Sequence, residues 1–453
     1  MSLPNPEELV AWDHAYLWHP FTQMQEWLEQ PPLIIERGDG PYLIDVHGRR
    51  YLDGVSSLWC NVHGHRHPKL DAALRDQLDR IAHTTLLGLA GSPSIVLAKR
   101  LVELLPPNLT RVFYSDAGAT AVEIALKLAF QYWQLRGETR RTHFASLTEA
   151  YHGDTLGAVS VGYSEAFHRH YKPLLFDCHK INPPHVYRWE RQVDPEAALG
   201  AAIGDAEELF ELHGHEIAAL IIEPLMQGAA GMWVQPVEYV RALREITRRH
   251  GVLLICDEVA TGFGRTGTMF AIEQAKIEPD LMCVGKGITG GYLPLAATFA
   301  SNEIFEAFLG PYAELKAFFH GHTYTGNALA CAVANSNLDV FVEERVLANV
   351  VQRSRQLTER LARDFAPLPH VGDIRQVGLM AGIELVADRR SRRTYPSAER
   401  IGMKVILEAR QHGVILRPLG NVLILMPPLC IRADELDRLC NVAAAAIKTV
   451  TGA

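Results

Sequence analysis

Residues Val252 to Gly291 read VLLICDEVATGFGRTGTMFAIEQAKIEPDLMCVGKGITGG, and two short apolar runs within them each deliver one functional group. Asp257 closes VLLIC and Lys286 closes LMCVG. Apolar runs of this length, bounded by turn residues, read as buried strands, and ligands of open α/β sheets gather at the carboxyl ends of such strands. The separation, 286 − 257 = 29 residues, spans one strand-to-strand crossover, so the two groups can face each other across adjacent strand ends. A lysine there, with Gly285 and Gly287 letting the backbone approach a ligand closely, can capture an aldehyde cofactor as an imine, activated for exchange with an amine substrate. Free lysine titrates near ~10.4, and desolvation lowers that towards a range suited to acid-base work. Asp257 can hold a pyridinium nitrogen in its protonated state, the electron sink that pyridoxal phosphate chemistry requires. A lone lysine is more often a solvated loop residue and a lone aspartate a cap. Their pairing is what points to a cofactor site.

Two other motifs compete for this stretch. A P-loop is excluded on spacing, because Asp280 stands where glycine is required and Gly287 where serine or threonine is needed. Gly262, Gly264 and Gly267 satisfy GxGxxG, with Glu278 or Asp280 downstream, which makes a nicotinamide-dependent oxidoreductase the distant alternative. That fingerprint should begin at the strand end and open a helix, whereas residues 257–261 intervene here.

Outward from this centre, strand candidates alternate with helices: RVFYSDAG, HFASLTEAYHG, IAALIIEPLMQG, VLLICDEV, LMCVGKG and PLAATFAS. Thr120 to Leu135 is apolar on most sides and reads as a buried helix. Such alternation predicts an α/β layered domain with a mostly parallel central sheet. Before Pro68, PPLIIERG and GPYLIDVHGRRYLDG predict short strands with a hairpin between Gly40-Pro41 and Asp53. After Val340 a polar helix, the strands DIRQVGLMAGIELV and GVILRPLGNVLILMPP, and a last helix from about Ala433 predict an α+β cap packed with the N-terminal segment. The expected division is 1–67 as an N-terminal part of a small domain, 68–340 as the large domain, and 341–453 as the rest of the small domain.

The 453 residues are 48% apolar and 21% charged, with a net charge of −8, which suits a globular chain and gives no phosphate-tracking surface. Nucleic acid is not an expected partner. The start, MSLPNPEELV, has no basic leader or apolar h-region, and no apolar run approaches the ~20 residues of a membrane span. A cytoplasmic protein without a membrane partner is expected. Seven cysteines are scattered without CxxC spacing, which reads as free thiols in a reducing compartment. The alternating His63, His65 and His67 lack a carboxylate partner, so no metal is expected.

Further candidates lie at other strand ends. Gly118-Ala119-Thr120 opens the buried helix, whose N-terminal amides can cradle a phosphate. Tyr151, in EAYHGDT, can lie over a flat ring. Arg417, in ILRPLG, offers a fork that matches a carboxylate.

Together, YSDAGATAVEIALKLAFQYW, AYHGDTLGAVSVG, IIEPLMQGAAGM, DEVATGFGRTG, VGKGITGGYLPLA and FHGHTYTGNALACA resemble the class III, fold-type I aminotransferases over almost the whole chain. The match is closest to the branch that aminates 8-amino-7-oxononanoate in biotin synthesis. Other class III activities on ω-amines share the cofactor motifs. The resemblance implies a pyridoxal 5'-phosphate enzyme with Lys286 as the Schiff-base lysine and Asp257 as the partner of the pyridine nitrogen. It implies that Tyr151 and Val259 sandwich the ring, and that Ala117, Gly118 and Ala119 form the phosphate turn. His322 and Thr323 match a pair contributed by the neighbouring subunit, which implies a homodimer with its active site at the interface. Arg417 matches the arginine that receives the substrate carboxylate, Gly321 a backbone contact to substrate, and Arg265 a further nearby positive group. Three departures stand out. Ala117 and Ala119 replace serines, so backbone amides carry more of the phosphate. Phe21, in HPFT, replaces a tyrosine, and Leu58, in SSLWC, replaces the first tryptophan of a pair. The implied amino donor is S-adenosylmethionine, or lysine as in the branch that shares Phe21 and Leu58.

Overall fold

The computed structural model describes residues 4–188 and 194–452. Its centre is a seven-stranded sheet in the order Leu109–Ser115, Ala296–Ser301, Leu281–Val284, Leu253–Asp257, Ile217–Ile222, His143–Leu147, Cys178–Ile181. Only Ala296–Ser301 runs antiparallel to its neighbours, Leu281–Val284 and Leu109–Ser115. All six residues of Ile217–Ile222 and all five of Leu253–Asp257 are buried. Strands covered on both faces lose the apolar-polar alternation and become continuous apolar runs, which is why IAALII and LLICD were legible. The strand Cys178–Ile181, reading CHKI with only its last residue buried, lacks that signal and was not anticipated.

The helices that cover this sheet follow from their apolar stripes. Gly118–Leu135 buries eight residues, among them Val122, Ile124, Ala125, Leu128 and Tyr132. Each fully buried Val, Ile or Leu contributes ~1.5–3 kcal/mol, so this helix is fixed rigidly against the sheet it starts from. Val237–Arg249 buries Tyr239, Val240, Leu243 and Ile246 at helical spacing. Its Arg244 grips Asp280 through two bonds of 2.7 and 3.1 Å, and Asp280 also accepts Leu254 N–H at 2.8 Å. That aspartate thus ties helix, strand and the loop entering Leu281–Val284 together.

Three smaller sheets accompany the large one, the least of them pairing Met226–Gln227 with Trp233–Val234. Ile35–Asp39, Tyr42–Asp45 and Arg50–Asp53 form an antiparallel meander, and Val414–Ile415 joins it in parallel beside Leu52 and Asp53. The two chain ends therefore share one sheet. Val371–Val377, Met380–Asp388, Arg417–Leu419 and Val422–Leu425 form another, with Arg393–Thr394 at its side. All seven cysteines are unpaired. Among the described residues no helix is long and apolar enough to cross a membrane.

Candidate active site

Asp257 and Lys286 emerge from neighbouring parallel strands, with Asp257 level with Cys283. Asp257 is 4% exposed. Its Oδ1 accepts the Val259 N–H at 3.0 Å, and its Oδ2 accepts from His152 Nδ1 at 2.7 Å. With that nitrogen donating, His152 Nε2 is left buried and without a partner among the described residues. Glu223, the residue after Ile217–Ile222, is also buried and accepts from Tyr151 N–H at 3.2 Å and Gly228 N–H at 3.0 Å. Burial pushes its carboxyl up to about 7, with His152 and the two amide bonds opposing and Asp257 adding to the rise.

Lys286 follows Gly285 into a short turn and takes φ 42°, a left-handed conformation that aims the side chain away from the strand line. Burial pushes its amine below the ordinary lysine value, while the charges of Asp257 and Glu223 oppose the fall. The Lys286 Nζ lies 4.9 Å from the centroid of the Trp59 ring, within cation-π range.

The turn expected to hold the phosphate is built by close packing. Ala117 caps the helix Gly118–Leu135, and the Thr120 hydroxyl donates to Ala117 O at 2.7 Å and accepts Ala117 N–H at 3.1 Å. That hydroxyl therefore shapes the turn and is already engaged. The amides of Gly118, Ala119 and Thr120 have no acceptor among the described residues, as expected at a helix start. A Cβ on Gly118 would lie 2.5 Å from Val259 Cγ1, and one on Gly153 would lie 2.3 Å from Ala119 Cβ. Glycine at both places lets the DEVA and YHGD loops close onto the helix start. Helix amides, a buried carboxylate and a buried lysine amine are the donor set that the phosphate, ring nitrogen and aldehyde of pyridoxal phosphate need. The residues fit the group.

Four consecutive residues, Ser56, Ser57, Leu58 and Trp59, have φ of 44, 42, 64 and 72°, a left-handed helical turn made without glycine. Such a turn costs roughly 1–2 kcal/mol per residue, and polar bonds hold it. Asp53 accepts the N–H groups of Val55 and Ser57 and the Ser57 hydroxyl, at 3.2, 2.6 and 2.8 Å. The Ser56 hydroxyl donates to Met426 O at 2.8 Å. Arg265 is 2% exposed and donates to Ser56 Oγ, Asn61 O and Pro427 O. Its fork braces the turn, and its charge reaches the Lys286 amine and adds to the lowering of that group. Burial pushes its guanidinium down to about 10. The turn leaves Leu58 exposed and Trp59 buried beside Lys286.

The remaining candidates are distributed unevenly. Tyr151 is half-buried, donates its hydroxyl to Asp154 at 2.7 Å and stacks on His168. Phe21 is exposed, with φ 50°, and meets Phe167 edge-on at 5.8 Å. The segment Glu165–His168 thus supports both. Arg417 opens its strand half-buried, with no hydrogen bond or ion pair among the described residues. His322 Nδ1 lies 2.9 Å from Asp116 Oδ2 without the alignment of a hydrogen bond. Gly321 and Thr323 are exposed. GFGRTG lies in turns with no helix opening from it, so the dinucleotide alternative fails on context. His63, His65 and His67 go to Asn337, Asp53 and Glu344 separately.

Sequence reading missed His152, Glu223 and Trp59. Glu223 carried the same signal as Asp257, an acid closing a buried apolar run, and His152 adjoins Tyr151.

A family model described as aminotransferase class-III matches residues 23–447. The adenosylmethionine-8-amino-7-oxononanoate aminotransferase of Nitratidesulfovibrio vulgaris is 57% identical over 448 residues, covering 98% of this chain and 82% of that protein. The crystal structure of the enzyme of that name from Methanocaldococcus jannaschii superposes with a TM-score of 0.93 at 46% identity, covering 98% of this chain and 99% of the other. An amine transaminase from an uncultivated Pseudomonas species, solved in its PLP-bound form, gives 0.91 at 39% identity over 96% of this chain and 98% of its own. With a pyridoxal phosphate site at the strand ends of a fold-type I sheet, this chain belongs to the class III aminotransferases.

Proposed function

We propose that the chain transfers an amino group to 8-amino-7-oxononanoate, giving 7,8-diaminononanoate in biotin synthesis, with S-adenosylmethionine as donor. The observation that carries the reaction class is the lysine amine and the buried, doubly bonded Asp257 carboxylate at adjacent strand ends. The substrate follows the relatives of that name, which match at 57% and 46% identity nearly end to end, against 39% for the amine transaminase. Lysine is the second donor reading, favoured by Phe21 and Leu58, which give the pocket neither a hydroxyl nor an indole at those positions.

Bound pyridoxal phosphate supplies an electron sink for the charge that develops at the donor Cα. Lys286 Nζ would hold the cofactor until the donor amine replaces it, and would then carry the proton between the donor Cα and the cofactor C4′. Its lowered affinity for protons suits that exchange. Asp257 keeps the ring nitrogen protonated, and His152 fixes the carboxylate that does so. Gly118 and Ala119 hold the phosphate through their helix amides, and Ala117 caps the turn that presents them. Tyr151 and Val259 flank the ring. Arg417 receives the substrate carboxylate, a role suited to a guanidinium with no partner among the described residues, and Phe21 and Leu58 line the approach.

His322, Thr323 and Gly321 serve the site of a second copy in a homodimer. Leu87, Phe319 and Tyr324 support this reading, because all three stand exposed and a partner would cover them. Residues 1–67 and 341–453 act together as the small domain, as their shared sheet suggests. Seven unpaired cysteines support a cytoplasmic location, which cell fractionation would check.

The test is to offer S-adenosylmethionine and lysine separately to the purified holoenzyme and record conversion of the cofactor to its amine form, with sedimentation of the same sample. Conversion by S-adenosylmethionine, followed by reversal on adding 8-amino-7-oxononanoate, is expected from a dimer. Conversion by neither donor would sink the biotin-pathway reading, and a monomeric active enzyme would sink the shared site.

A further inference from the structure

At the amino-terminal edge of the central sheet, opposite the strand ends that carry Asp257 and Lys286, three side chains converge that the transamination reading does not use. His179 is the second residue of the strand Cys178–Ile181, His213 ends the helix Pro195–His213, and Glu216 precedes Ile217–Ile222. One ligand atom from each lies within 4.8 Å of the other two. His213 Nδ1 is 2.6 Å and His179 Nε2 3.7 Å from Glu216 Oε1, and the two imidazole centroids are 4.6 Å apart. His179 Nε2 is buried and has no hydrogen-bond partner among the described residues. A buried imidazole nitrogen aimed at a carboxylate, yet too far to bond it, leaves room for something between them.

We propose that His179, His213 and Glu216 bind a divalent transition-metal cation of the Zn²⁺ class. Two imidazoles and one carboxylate suit a borderline cation and not the oxygen-seeking Ca²⁺ or Mg²⁺. A tetrahedral ion with bonds of about 2.0–2.2 Å sets its ligands about 3.3–3.6 Å apart, so the His179–Glu216 spacing of 3.7 Å is already near that value and His213 Nδ1, at 2.6 Å from Glu216, would draw back to admit the ion. The backbone already fixes the frame. Glu216 O accepts the N–H groups of Thr142 and His143, and Glu216 N–H donates to His213 O. Ala145 pairs with His179, so His143, two residues earlier on the same face, is its diagonal neighbour, with ring centroids 5.6 Å apart. His143 or water completes the fourth position. Binding requires the proton on His213 Nδ1 to move to Nε2, so that the Nδ1 lone pair faces the ion. The ion would link the outermost strand Cys178–Ile181 to the start of Ile217–Ile222 and to a helix end, across the intervening strand His143–Leu147, a structural staple remote from catalysis.

Tag-free holoenzyme is titrated with Zn²⁺ alone by calorimetry, beside His179→Gln and His213→Gln, with thermal melts of each. One ion per chain is expected, with a higher melting temperature on binding. Even an outer-shell loss typically weakens a metal site 10–100-fold, so either variant should bind at least about tenfold more weakly and lose the thermal shift. Both variants should keep wild-type transamination without added metal, which separates this site from the cofactor site. Absence of saturable binding by the wild type, or binding by both variants as tight as the wild type's, would overturn the proposal.

Discussion

The strand ends that carry Asp257 and Lys286 and the turn that carries Leu58 and Trp59 meet at one lysine amine, but they are made in opposite ways. The first region is a parallel ladder of buried apolar residues, with Asp257 in ordinary extended backbone and its oxygens both bonded. The second is a run of four L-residues at positive φ, carrying on the order of 4–8 kcal/mol of backbone strain. Buried packing and regular ladder bonds fix the first, with Asp280 tying it to its covering helix. The second persists because Asp53 and Arg265 over-determine it, one from the preceding strand and one from the GFGRTG loop. Reactive groups thus ride on the part of the molecule least able to move, and the pocket wall rides on a part that polar bonds must hold in place.

Substitutions at the two regions should separate these roles. Lys286→Ala should have the largest effect, lowering turnover by at least ~10²–10⁴ through loss of the proton carrier, with normal unfolding stability. Steady-state assays and the cofactor absorbance check it, and wild-type turnover would refute the assignment. Asp257→Asn should come next, reducing kcat by roughly 10–150-fold for the loss of a charged hydrogen bond of ~1.5–3 kcal/mol. An unchanged kcat would mean that the ring nitrogen is held elsewhere. Asp53→Asn should act mainly on stability, lowering the urea unfolding free energy of the holoenzyme by ~1–3 kcal/mol with a smaller loss of turnover. If stability is untouched, the turn does not depend on its clamp. The smallest effect belongs to Leu58→Gly, because Leu58 is 46% exposed at φ 64° and glycine relieves ~1–2 kcal/mol of strain against a larger unfolded-state entropy. Unfolding should show stability within about 1 kcal/mol of wild type, and a steep fall would show that Leu58 contacts matter more than its backbone.

The same contrast explains what could be read from sequence. IAALII, VLLICD and LMCVG are continuous apolar runs because their strands are covered on both faces, and that pattern is local. The acid and lysine at their ends were therefore visible, with the parallel sheet and the buried helix after Ala117. SSLW carries no glycine and no periodicity to announce a left-handed turn. Its conformation is imposed by Asp53, Arg265 and Met426, from three separate parts of the chain. The part Arg265 plays in holding this turn was hidden for the same reason, since only the fold shows the three acceptors around it. His152 was hidden because its meaning depends on Asp257, far away in sequence.

The hydroxyl of Ser56 bonds to Met426, 370 residues further along the chain, and this has a consequence for how the enzyme is made. At about 5–20 residues per second, a ribosome needs roughly 20–75 s to cover that interval. By the end of it the strands that present Asp257 and Lys286 have all been made, whereas the wall beside them still lacks one of its anchors. Lys286 is thus made before the carbonyl that finishes the clamp on its neighbouring turn.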